Sequence, residues 1–306
     1  MSALPHAHDH NHAHHAPKNF GWAFAVGIGL NILFVVVEAV YGILANSVAL
    51  LADAGHNLSD VLGLLLAWGA AGLMRRAPTR RYTYGLGSSS ILAALANAVL
   101  LLIAVGAIAL EAVQRLANPH PVAGLTVIAV AGIGIIVNGV TAWMFASGRE
   151  SDLNIRGAYL HMAADAAVSA GVVGAGFVIL MTGWLWVDPL VSLIIAGIIV
   201  WGSWGLLRES INMALHAVPA GIDPVRVRAH LEAVRGVSAV HDLHIWPLST
   251  TETALTCHLV MKEGSPGDTF LVEIAHQLKE RFGIAHATIQ VETGEAACAL
   301  EPDHIV

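Results

Sequence analysis

Residues 46 to 74 read NSVALLADAGHNLSDVLGLLLAWGAAGLM, a run interrupted by three ionisable side chains, Asp53, His56 and Asp60. A membrane-spanning helix takes about 20 apolar residues, so this stretch is predicted to span. A charged group at bilayer depth costs about 2.5–3.5 kcal/mol on insertion scales, which makes each ionisable residue there a functional candidate. A second run repeats the pattern: His161-Met162-Ala163-Ala164-Asp165 has the same His-x-x-x-Asp spacing as His56-Asn57-Leu58-Ser59-Asp60. On a helix, positions i and i+4 lie one turn apart on one face. Each span therefore presents an imidazole and a carboxylate together. Two such helices facing one another supply two nitrogens and two oxygens.

That donor set suits Zn²⁺, which favours a tetrahedral shell of His nitrogen and carboxylate oxygen at about 2.0–2.2 Å. A divalent ion with two carboxylates and two neutral imidazoles sums to zero, the least costly net charge to hold at bilayer depth. When the ion leaves, protons are the cations at hand to neutralise the carboxylates, and such alternative occupancy is what an exchanger requires. One His-x-x-x-Asp arises easily by chance; two, each inside an otherwise apolar span, are much harder to dismiss. Asp53, one turn before His56 on the same face, is assigned to guiding ions in or relaying protons. Glu38, Asn31, Asn97 and Asn138 read as interhelical hydrogen-bonding groups, and Gly132, Gly134 and Gly197 as points of close helix packing.

Composition agrees. The 306 residues are 56% hydrophobic and 12% charged, with a mean hydropathy of +0.67, whereas soluble domains carry about 25% charged residues. An ordinary soluble enzyme and a disordered chain are both excluded. Six spans are predicted at 20–44, 46–74, 86–115, 122–147, 153–181 and 186–208. The first is not expected to be a cleaved signal peptide, since a polar, His-rich stretch precedes it and no small-residue cleavage site stands out after it. The chain divides into a His-rich tail (1–19), a six-helix membrane domain (20–209) and a C-terminal domain (210–306) as charged as a soluble protein. Arg75, Arg76, Arg80 and Arg81 follow span 2, and Arg149 and Arg156 follow span 4, while the loops after spans 1 and 5 carry no Lys or Arg. Positive loops stay cytoplasmic, which places both termini in the cytoplasm. A net charge of −7 argues against a nucleic-acid partner, and two cysteines, Cys257 and Cys298, make no disulfide framework.

In the C-terminal part, Asp223–Pro224 opens a helix to about Val234, Asp suiting the N-cap and Pro the first turn. Strands are predicted over Val237–Pro247 and Glu252–Met261, a helix over Thr269–Phe282 and a last strand over Ala287–Thr293. The order αββαβ describes a ferredoxin-like α+β half sheet.

Taken together, the six spans, the paired His-x-x-x-Asp, the stretch Ser47 to Asp60 and the run His241-Asp242-Leu243-His244-Ile245-Trp246 resemble the cation diffusion facilitator family. The zinc-transporting bacterial members are the nearer likeness, over residues 20 to about 293. The resemblance implies a homodimeric, non-enzymatic antiporter of the bacterial inner membrane that expels Zn²⁺ in exchange for protons, its cytoplasmic domain contributing to the dimer. The family's transport ligands fall on His56, Asp60, His161 and Asp165, and members with this set are typically selective for zinc, sometimes also moving Cd²⁺. Some relatives bind metal in the loop after span 2, but Arg75–Gly87 holds neither His nor Asp, so none is expected there. Others hold two zinc ions in the cytoplasmic domain. His241, His258 and Glu292 match ligand positions there, but Gln290 stands where a His can occur, which argues against a full binuclear site because amide oxygens bind zinc poorly. His241 and His244, three apart on a strand, are expected on opposite faces, so His241 is the one assigned to join His258. At the other end, six of the 17 histidines fall within residues 6–15, a tract expected to capture or buffer zinc.

Other readings fare worse. A zinc protease needs His-Glu-x-x-His and an ATP-driven pump a Gly-Lys phosphate loop, and the chain has neither. A passive metal channel, indifferent to a pH gradient, and a membrane-anchored metal sensor are the remaining alternatives.

Overall fold

The structure, a computed structural model, describes residues 21–146, 153–264, 267–294 and 298–300; the His-rich stretch 6–15 and Arg149 lie outside them. Six long helices come first: α1 (Gly21–Leu44), α2 (Val48–Met74), α3 (Ser89–Ala117), α4 (Gly124–Ala146), α5 (Leu153–Thr182) and α6 (Val187–Ala214). Helices α2 to α6 are long and apolar enough to cross a membrane, and α1 adds an apolar stretch over Gly29–Leu44. Their outward faces are apolar too, with Trp68, Trp143 and Trp201 largely exposed, the pattern of helices solvated by lipid rather than water. Helix α6 runs six residues past its expected end at 208. It stops at Leu215, where the chain leaves the helix through His216 in the left-handed conformation at φ 59° and then Pro219, whereas Arg208 and Glu209 are residues that a helix accommodates.

Helix α2 starts at a cap built from two helices. Ser47 accepts from the Leu50 N–H, and its hydroxyl donates to the Asp188 carboxylate at the start of α6. The same carboxylate accepts from the Val48 N–H at 2.7 Å and the Ala49 N–H at 3.4 Å. A fully buried anion thus sits on the otherwise unpaired amides of a helix N-terminus. Sequence reading does not single out Asp188, although it lies inside the span predicted at 186–208.

Helix α4 packs along α5 and α3 along α6. The first pair touches backbone to backbone: a Cβ on Gly176 would lie 3.1 Å from the Gly124 carbonyl oxygen, and one on Gly134 would meet Phe34 at 2.6 Å. Gly134 therefore serves close packing as expected, whereas Gly132 and Gly197 have nothing within 4 Å. A buried core of Ala49, Leu50, Val105, Val127, Val172 and Ile199 joins α2 to α6.

The C-terminal domain has α7 (Pro224–Glu232), β1 (Ala239–Pro247), β2 (Thr253–Val260), α8 (Asp268–Phe282) and β3 (Ile284–Glu292), the expected αββαβ order. Asp223 caps α7, accepting from the Val225 and Arg226 amides. The sheet runs β1-β2-β3, antiparallel then parallel. Strand β3 begins three residues early because Gly283, at φ 71°, ends α8 in the left-handed conformation and turns the chain directly into it. Val227, Leu231, Ile274 and Leu278 bury against Val240, Ile245, Leu255 and Leu259 on one face of the sheet. The domain meets the helices at the β1–β2 turn. Thr250 N–H donates to Ser90 Oγ at 3.1 Å, Ser88 Oγ donates to the Leu248 carbonyl at 3.3 Å, and Tyr84 stacks edge-on against His286.

Candidate metal centre

Helices α2 and α5 bring the two His-x-x-x-Asp pairs together. His56 Nε2 lies 3.8 Å from Asp60 Oδ2 and 3.4 Å from Asp165 Oδ1; His161 Nε2 lies 3.3 Å from Asp60 Oδ2 and 3.6 Å from Asp165 Oδ2. A tetrahedral shell with ligands about 2.0–2.1 Å from zinc has edges of about 3.3 Å, so all four contacts have the scale of ligands sharing one ion. The donor atoms of His56, Asp60 and Asp165 are mutually within 4.8 Å. His161 joins through the two carboxylates, its ring 6.2 Å from that of His56 and nearly perpendicular to it. Buried Asp60 Oδ2 and Asp165 Oδ2 have no hydrogen-bond donor among the described residues, as befits oxygens kept for a cation.

The site is open on one side. Side-chain exposure is 2% for Asp165 but 33% for Asp60 and 42% for His161, the members nearest the Met74 end of α2 and the Leu153 end of α5. On the far side, Asp53, Ser169 and Val172 are completely buried. There Ser169 Oγ donates to Asp53 Oδ2 at 2.9 Å and Asn57 Nδ2 to Glu38 Oε2 at 3.3 Å. Glu38 thus makes an interhelical hydrogen bond as expected. So does Asn31, through its amide to Met162 Sδ. Both side-chain atoms of buried Asn138 find no hydrogen-bond partner among the described residues.

A second cluster sits on the sheet face turned away from α7 and α8. His241 Nε2 is 3.2 Å from Glu292 Oε2, and His258 Nδ1 is 3.0 Å from Glu292 Oε1. Gln290 Nε2 donates to Glu292 Oε1 at 2.8 Å, so its amide steadies the carboxylate instead of replacing a histidine. Here simple alternation misplaces His244. A β-bulge between His241 and His244, with Asp242 at φ 50°, sets two residues of β1 opposite Cys257 alone. His241 pairs with His258 and His244 with Thr256, two apart on β2, so both histidines face the same side. The bulge also turns Asp242 into the cluster, 3.3 Å from His258 Nε2 and 2.9 Å from His244 Nε2. Sequence reading misses Asp242 and Cys298, whose Sγ lies 3.6 Å from His258 Nδ1. Neither follows from periodicity.

Comparison with known proteins agrees with this architecture. The cation efflux transmembrane domain matches residues 24–213, and the cytoplasmic domain of cation efflux proteins matches residues 219–294. The chain is 37% identical to a cadmium, cobalt and zinc/H(+)-K(+) antiporter of Bacillus subtilis (strain 168), covering 85% of each chain. It is 35% identical to the cation efflux system protein CzcD of Alcaligenes sp. (strain CT14), covering 94% of this chain and 89% of that one. It is also 34% identical to the zinc transporter ZitB of Escherichia coli (strain K12), covering 94% and 93%. A solved structure described as the metal-bound C-terminal domain of the CzcD transporter from Cuprividus metallidurans is 38% identical over 23% of this chain and 99% of its own, with a TM-score of 0.22. The chain is a multi-pass membrane protein and belongs to the cation efflux, or cation diffusion facilitator, family of metal-cation transporters.

Proposed function

We propose that the protein exports Zn²⁺ from the cytoplasm in exchange for protons, with His56, Asp60, His161 and Asp165 as the ligands that carry the ion. The observation behind this reading is the four His–Asp contacts of 3.3–3.8 Å made between and along two membrane helices. The names of the relatives support zinc as cargo and protons as counter-ion. With both termini cytoplasmic in the bacterial inner membrane, the exposed side of the site faces the cytoplasm and the arrangement is one that loads metal from within. Metal binding needs deprotonated ligands and so releases protons. Those protons leave through the exposed side to the cytoplasm, and Asp53, hydrogen-bonded to Ser169 on the closed side, is our candidate for relaying replacement protons inward from the exterior. The cytoplasmic domain pairs two protomers and senses metal through His241, His258 and Glu292, outside the transport path.

The test is zinc uptake into sealed inside-out vesicles under an imposed pH gradient, with a pH-sensitive dye and a panel of cations. Zinc flux that follows the gradient, coupled to proton movement in the opposite direction, is expected. Flux that leaves the dye unchanged and ignores the gradient refutes exchange and favours a passive channel.

A further inference from the structure

We propose that Cys298 supplies a thiolate ligand to a metal centre formed with His241, His258 and Glu292, closing it as a four-donor site. The inference rests on the reading that this cluster binds metal, and adds to it the donor that fixes its chemical character. One ligand atom from each of the four residues can be chosen so that all lie within 4.8 Å of one another. For zinc with N or O ligands near 2.0–2.1 Å and S near 2.3 Å, tetrahedral edges are about 3.3 Å between N or O donors and about 3.5 Å between N and S. With Glu292 Oε2 as the carboxylate donor, the 3.2 Å contact to His241 Nε2 and the 3.6 Å contact between Cys298 Sγ and His258 Nδ1 fall on that scale.

The surroundings are built to hold these donors. His241 is buried, and its Nε2, turned to the centre, has no hydrogen-bond partner among the described residues. His258 turns Nδ1 to the centre while Nε2 faces Asp242 at 3.3 Å. An Nε2–H donated to that carboxylate leaves the Nδ1 lone pair free for metal, the usual way a carboxylate orients a ligating imidazole. Gln290 holds Glu292. With one thiolate and one carboxylate, a divalent ion leaves the centre neutral, and the sulfur favours Zn²⁺ and Cd²⁺ over hard ions such as Mg²⁺. Cys298 lies beyond the last strand, so an ion bound there ties the C-terminal segment to the sheet. The other thiol cannot substitute: Cys257 lies on the opposite face, inside the apolar core.

Co²⁺ added to the full-length protein in detergent is the spectroscopic probe, because a sulfur-to-cobalt charge-transfer band reports thiolate ligation and the intramembrane site contains no sulfur ligand. The parent is expected to show the band. Cys298→Ser should abolish it while retaining ligand-field absorption and the number of ions bound per chain. Zn²⁺ should slow alkylation of Cys298 about tenfold or more by engaging the nucleophilic thiolate. Asp242→Asn should keep the band but weaken cobalt binding about 10–100-fold, as expected for a carboxylate that orients a ligand. An unchanged band in Cys298→Ser, or a parent without one, overturns the assignment of Cys298. If His241→Ala/His258→Ala binds as many ions as the parent, the cluster is not a metal site at all, and the underlying reading fails instead.

Discussion

Replacing Asp165 by asparagine isolates the part that charge plays in the intramembrane site, since the side chain keeps its shape. Asp165 is buried and contacts both histidines, at 3.4 and 3.6 Å. Loaded with a divalent ion, the native site is neutral; in the Asp165→Asn variant it carries one positive charge. A lone charge at bilayer depth costs about 2.5–3.5 kcal/mol. At about 1.4 kcal/mol per factor of ten, zinc affinity should fall about 60–320-fold. The measurement is zinc binding in a His241→Ala/His258→Ala background, which removes the two candidate histidine ligands of the C-terminal domain, together with the zinc concentration for half-maximal vesicle uptake. Asp60→Asn should lose a comparable amount, whereas Glu111→Gln, at an exposed ion pair with Arg115 remote from the site, should lose nothing. A well-folded Asp165→Asn protein whose affinity stays within threefold of the parent refutes the charge argument and the ligand set with it.

Asp188→Ala strands two buried amides and the Ser47 hydroxyl; at about 1–3 kcal/mol per unpaired group, thermal unfolding in detergent should show a loss of about 3–9 kcal/mol, and an unchanged midpoint would count against the cap. His56→Asp gives one imidazole and three carboxylates, so the Zn/Cd flux ratio should drop because the larger Cd²⁺ accepts more oxygen ligands; an unaltered ratio puts selectivity elsewhere. Burial, and secondarily the Asp242 carboxylate, push the Cys257 thiol up to about 12, above an unfolded value of about 8.5. The unfolded chain therefore loses this proton first, and the thiol's contribution to stability, intact below about pH 8.5, should be lost as pH rises toward 12, by at most about 1.4 kcal/mol per unit. Denaturant midpoints for the parent and Cys257→Ala should converge over that range, and parallel pH profiles would refute it.

What is legible in the sequence is what local geometry and burial cost determine. His56–Asp60 and His161–Asp165 are pairs within single helices, so spacing alone puts each on one face, and the rarity of charge in a span marks both. The facing of α2 and α5 follows from chemistry rather than from pattern. The rest depends on distant partners. Asp188 is only an acidic residue at the edge of a predicted span until α6 meets the first turn of α2, and His244 goes to the wrong face because alternation knows nothing of a bulge. Cys298, six residues past β3, carries no periodic signal.

The β1–β2 turn gives the cytoplasmic domain a mechanical grip on the membrane part. One end of β1 holds His241; just beyond the other, Leu248 abuts Gly87, where a Cβ would come within 2.9 Å of its carbonyl oxygen. The seven residue steps from His241 to Leu248, at about 3.3 Å each, make a rod of roughly 23 Å, braced by β2 on either side of the bulge. A rod braced in this way transmits displacement instead of absorbing it. If the cluster binds metal as proposed, tightening around an ion at the His241 end would bear on the N-terminus of α3 and, through α3, on α6, the helix along which it packs. The domain is geared to one particular helix pair.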